Sequence, residues 1–155
     1  MDSRDLNNFI PISASLGDSF FKYWVEFTWP IHRLSPAEMR ILSCFLRERY
    51  FLSKKVSDEK LLDKIIFNTD IRKKIVEECQ ISKVFLSTKL GKFKKTGIII
   101  DGKINPRLIP RIKDEKDFKL LIFFKLESNE RRTQEPKADT QRSSRKARPS
   151  SKKSQ

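Results

Sequence analysis

Apolar residues recur along this chain with two periods. Between Phe20 and Trp29 the period is two: Phe21, Tyr23, Val25, Phe27 and Trp29 share one side, and Lys22, Glu26 and Thr28 fall on the other. Such alternation predicts a strand, here closed by Pro30. The pattern returns near the far end. Phe118, Leu120, Ile122, Phe124 and Leu126 share a face, while Lys119 and Lys125 point away. The two segments are natural partners in an antiparallel sheet. Trp24, Leu121 and Phe123 make the second face partly apolar, to be covered by helices or by another subunit.

Between them the period lengthens to that of a helix. Ser35-Pro36-Ala37-Glu38 is a capping box with proline at the first helical position. It opens a helix to about Tyr50, with Met39, Leu42, Phe45 and Leu46 inward and Arg40, Arg47 and Arg49 mostly off that stripe. Ser57 or Asp58 starts a second helix through Phe67, and Asn68-Thr69-Asp70 caps a third carrying Ile71, Ile75 and Val76. Ser82 caps a fourth that runs to about Lys95, with Leu86, Leu90 and Phe93 on one side. Gly97 stands where a left-handed cap is wanted. Ile98-Ile99-Ile100, the turn Asp101-Gly102, and Lys103-Ile104-Asn105 then predict a short hairpin ended by Pro106.

The helix from Ser82 carries the functional signal. Opposite its apolar ridge lie Val84, Thr88, Gly91 and Lys95, flanked by Ser87 and Lys92. From Ser82 to Gly97 there is no acid, while Lys83, Lys89, Lys92, Lys94 and Lys95 are all basic. A solvated helix face more often mixes glutamate with lysine. Small side chains permit close backbone approach, hydroxyls bond phosphates or base edges, and lysines neutralise phosphate.

On these residues the segment resembles the winged helix-turn-helix superfamily. Ile75-Val76, Ile81-Ser82, Leu86, Leu90, Phe93 and Gly97-Ile98-Ile99 fall on that family's apolar and turn positions. With the hairpin as its wing, the match runs from Ile71 to Arg111, about a quarter of the chain. The resemblance implies sequence-directed binding of double-stranded DNA, with Val84, Ser87, Thr88 and Lys92 reading bases and phosphates. Two positions depart from the pattern. Gln80 holds the turn position where glycine is usual, and a left-handed conformation there costs about 1 kcal/mol. Phe85 stands where a hydroxyl residue often contacts phosphate, and is expected to pack against the aromatic strands instead.

Charge supports the polyanion reading without specifying a fold. The chain has 155 residues, 34 Lys and Arg against 20 Asp and Glu, and a net charge of +14. Its last part differs in kind. Residues 128–155 have no aromatic or large aliphatic side chain and hold nine basic residues against three acids. Such a segment is expected to be disordered. It serves either as an electrostatic arm on nucleic acid or as a solubilising tail. The predicted organisation is an N-terminal extension over residues 1–18, a winged-helix domain over 19–127 and a basic tail over 128–155. The fold class is α+β: a winged helix-turn-helix with an extra helix, a C-terminal wing hairpin and an aromatic pair of N- and C-terminal strands.

Catalytic and metal chemistry find no support. His32 is the sole histidine and reads as a solvated loop residue. Cys44 and Cys79 are the only cysteines and have no zinc spacing. They read as small buried thiols of a reducing cytoplasm. No Walker signature, signal peptide or membrane span is apparent. No cofactor, catalytic residue, metal or membrane association is expected. Two functions remain open. One is a DNA-binding protein of transcription regulation or DNA replication in a phage-like element, a source suggested by the composition. It would act through Lys83, Val84, Ser87, Thr88, Lys92 and Lys95 in the groove, and through Lys103, Arg107 and Arg111 on the wing side. The other is a structural or adaptor protein, virion-associated, that docks on protein through Phe20 to Trp29. A homodimer and a virion or replication protein stand as further partners. The place of action is the cytoplasm (a host's, if the source is viral) or the virion.

Overall fold

A computed structural model describes residues 11–120 and 125–126. It divides into a compact unit over Met1–Phe118 and a second over Lys119–Gln155. The described residues of the second, Lys119, Leu120, Lys125 and Leu126, are in neither helix nor strand. The basic tail and residues 121–124 of the expected C-terminal strand lie outside the described residues, and Phe118 to Leu120 are not strand.

The first unit is mostly helical with one small antiparallel sheet, an α+β arrangement. In chain order it holds α1 (Ser19–Phe27), α2 (Trp29–His32), α3 (Pro36–Ser53), α4 (Glu59–Ile65), α5 (Thr69–Cys79), α6 (Lys83–Lys95), β1 (Ile99–Ile100), β2 (Lys103–Ile104) and a 3-10 turn at Pro106–Leu108.

The aromatic segment is helical, which corrects the expected strand. Phe21, Val25 and Thr28 follow a helical spacing and are all buried. Phe20 and Trp24, one turn apart, both set their rings edge-on to Phe118, with centroids 5.0 and 5.6 Å away. Asp18 and Lys22 pair across one turn at 2.7 Å, and the Thr28 hydroxyl donates back to the Trp24 carbonyl at 2.8 Å. An alternating run of this length satisfies both periods. The helix wins because its spacing brings Thr28 inward beside Phe21 and Val25 against α3, while no strand partner is present among the described residues. Tyr23, Phe27 and Trp29, placed on the buried face by the strand reading together with Phe21 and Val25, emerge exposed.

His32 is likewise not a solvated loop residue. It ends α2 half-buried, accepting the Leu34 N–H at Nδ1 (3.0 Å) and reaching the Val25 carbonyl through Nε2 at 2.7 Å. These two partners suit a ring that accepts at Nδ1 and donates from Nε2.

α3 is the central helix. Its capping box forms as expected, with Ser35 and Glu38 each accepting the other's backbone N–H. Ile41, Leu42, Cys44, Phe45 and Leu46 are all buried, because α1, α4 and α5 surround them. Arg47 and Arg49 are half-buried rather than outward. Arg47 makes a two-pronged ion pair with Glu78, and Arg49 approaches Asp63 at 3.4 Å. α4 and α5 begin at Asp58 and Asn68, whose side chains accept N–H groups of the first turn.

Two backbone reversals then set α6 and the hairpin. Gln80 adopts φ 53° and ψ 47°, left-handed despite its side chain. The Ile81 N–H reaches the Val76 carbonyl (3.1 Å) and the Gln80 N–H the Glu77 carbonyl (3.3 Å), the hydrogen-bond pair of a Schellman motif. At the far end of α6, Gly97 has φ 75°, and the Ile98 N–H bonds back to the Phe93 carbonyl at 2.9 Å. Asp101 and Gly102 both have positive φ, 51° and 74°, as a two-residue hairpin of the favoured twist requires. Ile99 pairs with Ile104, and Ile100 with Lys103. Asn105 fastens the base of the hairpin: its N–H donates to the Ile98 carbonyl at 2.8 Å and its amide to the Gly97 carbonyl at 3.0 Å.

Candidate nucleic-acid interface

α6 is held by one face. Ser82 caps it, accepting the Phe85 N–H at 3.0 Å. Leu86, Leu90 and Phe93 are 2%, 5% and 1% exposed and anchor it in the core. The rest of its surface is open: Val84, Thr88, Gly91 and Lys95 opposite the ridge, and Lys83, Ser87, Lys92 and Lys94 on its flanks, are all exposed. Thr88 donates its hydroxyl to the Val84 carbonyl at 3.0 Å, and its oxygen keeps its capacity to accept. A Cβ built on Gly91 meets nothing within 4 Å, so packing does not demand a glycine there.

The hairpin follows directly and packs on α6 through β1. Lys103 is exposed next to the turn, and Arg107 lies beyond it in the 3-10 turn, also exposed. From Ser82 to Arg107 the chain has seven basic residues and a single acid, Asp101. Arg111 is exposed too, but in another neighbourhood. It lines a shallow hollow of about 190 Å³ with Tyr50 and Ser53 of the C-terminal half of α3.

The lysines of α6 are not equivalent. Glu38, 1% exposed at the start of α3, accepts from Lys92 at 2.7 Å and Lys89 at 3.0 Å through one carboxylate oxygen. Its other oxygen accepts the Ser35 N–H at 3.0 Å. Burial by itself would raise the pKa of this carboxyl. The hydrogen bonds from Lys92, the Ser35 backbone and Lys89 outweigh that and lower it from 4.5 to about 2. Lys89 and Lys92 thus form a partly neutralised edge, while Lys83, Lys94 and Lys95 have no carboxylate within salt-bridge range among the described residues. Lys92 keeps half its side chain exposed while tied to Glu38.

Phe85 does not pack against aromatic strands. It stands 38% exposed on α6, with the Lys89 ammonium 5.1 Å from its ring centre, a cation–π contact one helical turn away.

Sequence reasoning missed the second task of Glu38. Its place in the capping box is a local signal. Its lysine partners lie 51 and 54 residues further on, and no spacing in the sequence announces them. Among the described residues no cluster of three or more potential metal ligands occurs, and no helix is long and apolar enough to cross a membrane. Compared with family models, curated proteins and solved structures, the chain has no significant match.

Proposed function

We propose that this protein binds double-stranded DNA as a winged helix-turn-helix. In this reading α5 and α6 form the helix-turn-helix pair about Gln80, α6 enters the major groove, and the β1–β2 hairpin is the wing. The observation that supports it best is the outward face of α6: cationic, free of carboxylates, and built of small and hydroxyl residues. Lys83, Ser87, Thr88 and Lys95 would meet base edges and phosphates, with Val84 offering apolar contact to a thymine methyl. Lys103 and Arg107 would hold a flanking phosphate or the adjacent minor groove. The biological setting we assign is transcription regulation or replication of a phage-like element, acting in the cytoplasm.

The test is fluorescence anisotropy with labelled duplex at several salt concentrations. Affinity should fall steeply with salt, and Lys83→Glu with Lys95→Glu should abolish specific binding. Undetectable binding at low salt, or an unchanged affinity in the double variant, would end the proposal.

A second reading draws on a different observation. Tyr23, Phe27, Trp29 and Ile31 are 38–65% exposed on α1 and α2, and an apolar surface of this kind can mark a protein interface. An adaptor or virion-associated protein would use it. Purified protein that forms a stable assembly at high salt and carries no nucleic acid, judged by its ultraviolet absorbance ratio, would favour that reading.

A further inference from the structure

The two cysteines stand 35 positions apart in the chain, yet their sulfur atoms are 3.6 Å from one another. Cys44 lies in the middle of α3 and Cys79 is the last residue of α5. Both are buried, at 5% and 4% exposure. The side chains around them are cationic as well as apolar. Arg47 lies one turn beyond Cys44 in α3 and pairs with Glu78, while Arg40 donates to the Glu78 carbonyl at 3.2 Å, one residue before Cys79. The two sulfurs touch across a helix interface, and a covalent bond of about 2 Å requires an approach of only about 1.5 Å.

We propose that Cys44 and Cys79 form an oxidisable dithiol, converted by hydrogen peroxide into a disulfide that ties α3 to the end of α5. In the first step the Cys79 sulfur attacks a peroxide oxygen and the O–O bond breaks. The departing hydroxide takes up the thiol proton and leaves as water, so that Cys79 becomes a sulfenic acid. In the second step the Cys44 sulfur attacks the Cys79 sulfur. Its own proton leaves with the sulfenic hydroxyl as a second water. Two thiols are oxidised by two electrons, and one peroxide is reduced to two waters. The order follows from the surroundings. The Cys44 thiol hydrogen-bonding to it, aided by the charge of Arg40, holds the Cys79 thiol below its usual range. The hydrogen bond to Cys79 and burial push the Cys44 thiol up. Cys79 is therefore the better nucleophile, and Cys44 is positioned to resolve it.

The consequence is mechanical. Cys79 immediately precedes the left-handed Gln80 that sets the direction of α6. A bond at this point pins the turn to the central helix and closes a long loop of the unfolded chain.

The experiment treats the folded full-length chain with hydrogen peroxide and counts free thiols after denaturation, with dimedone present in a parallel sample. The expected result is loss of both thiols in a monomer of faster non-reducing mobility, reversal by a phosphine reductant, a raised melting temperature and little dimedone adduct. In Cys44→Ser the adduct should accumulate on Cys79. Disulfide-linked dimers as the main product, accumulation of sulfinic acid in the wild-type chain, or inert thiols at a peroxide dose that oxidises the urea-unfolded chain would each overturn the proposal. None of these outcomes depends on whether the protein binds DNA.

Discussion

The buried carboxylate of Glu38 accepts the Lys92 ammonium at 2.7 Å across the α3–α6 interface. This one contact joins a helix cap to the face proposed to meet DNA. Because its folded pKa is depressed to about 2 from 4.5, Glu38 stabilises the fold fully above pH 4.5. That contribution is lost as pH falls toward 2. Glu38→Gln should lower stability by about 2 kcal/mol at pH 7, the scale of hydrogen bonds to charged groups. The gap between wild type and variant should narrow steadily below pH 4.5. Urea unfolding at pH 7 and at pH 3 measures it, and a gap that is equal at both pH values would show that Glu38 is not the titrating group.

The same contact divides the lysines of α6 into two kinds. Lys95 faces solvent without a carboxylate partner among the described residues, so its charge remains available to phosphate. Lys95→Ala should weaken duplex binding and reduce the slope of log affinity against log salt by about 0.9 if it meets one phosphate. Lys92→Ala should alter that slope less, while lowering folding stability more than Lys95→Ala does. Paired salt titrations and denaturant curves on the two variants would expose the contrast, and identical behaviour in both assays would refute it.

Gln80 offers a test of the turn. A residue with a Cβ at φ 53° carries a left-handed penalty of about 1 kcal/mol, and the Schellman hydrogen bonds on either side hold it there. Gln80→Gly should relieve that penalty and raise the urea midpoint, with a net gain of about 0.5 kcal/mol after the larger unfolded-state entropy of glycine. Gln80→Val should lower the midpoint, with a loss of more than about 1 kcal/mol in stability. If both substitutions shift it in the same direction, the left-handed turn is not the controlling feature.

What the sequence disclosed follows the range of the interactions involved. Ser35, Asn68 and Ser82 each act within four residues, so the starts of α3, α5 and α6 were legible to the residue. Gly97 and the Asp101-Gly102 turn were legible for the same reason, since backbone conformation there depends on one or two side chains. The Phe20 to Trp29 run was not. Phe21 and Val25 are inward on either period, and the helix is distinguished by Thr28, which turns inward on the helical spacing, and by Tyr23, Phe27 and Trp29, which turn outward on it. The inward face of α3 is wider than its periodic stripe because the burial of Ile41 and Cys44 depends on neighbouring helices packing around them. The outward face of α6 was readable from periodicity. Its division by Glu38 was not, because that depends on a partner more than fifty residues away.

Gly91 separates the needs of stability from those of binding. It sits in the interior of α6, where glycine costs about 1 kcal/mol relative to alanine. A Cβ there would meet no atom beyond its own stretch of helix backbone within 4 Å, so packing gains nothing from its absence. Its neighbours on that face are Val84, Thr88 and Lys95, the residues proposed to meet the DNA groove. Gly91→Ala should therefore raise folding stability by about 0.5–1 kcal/mol. The added methyl should at the same time weaken specific duplex binding several-fold by holding the α6 backbone away from the bases. Denaturant unfolding and anisotropy on one preparation test both halves. A more stable variant that binds DNA as well as the wild type would show that the glycine is not needed for close approach, and would move the point of contact elsewhere on the helix.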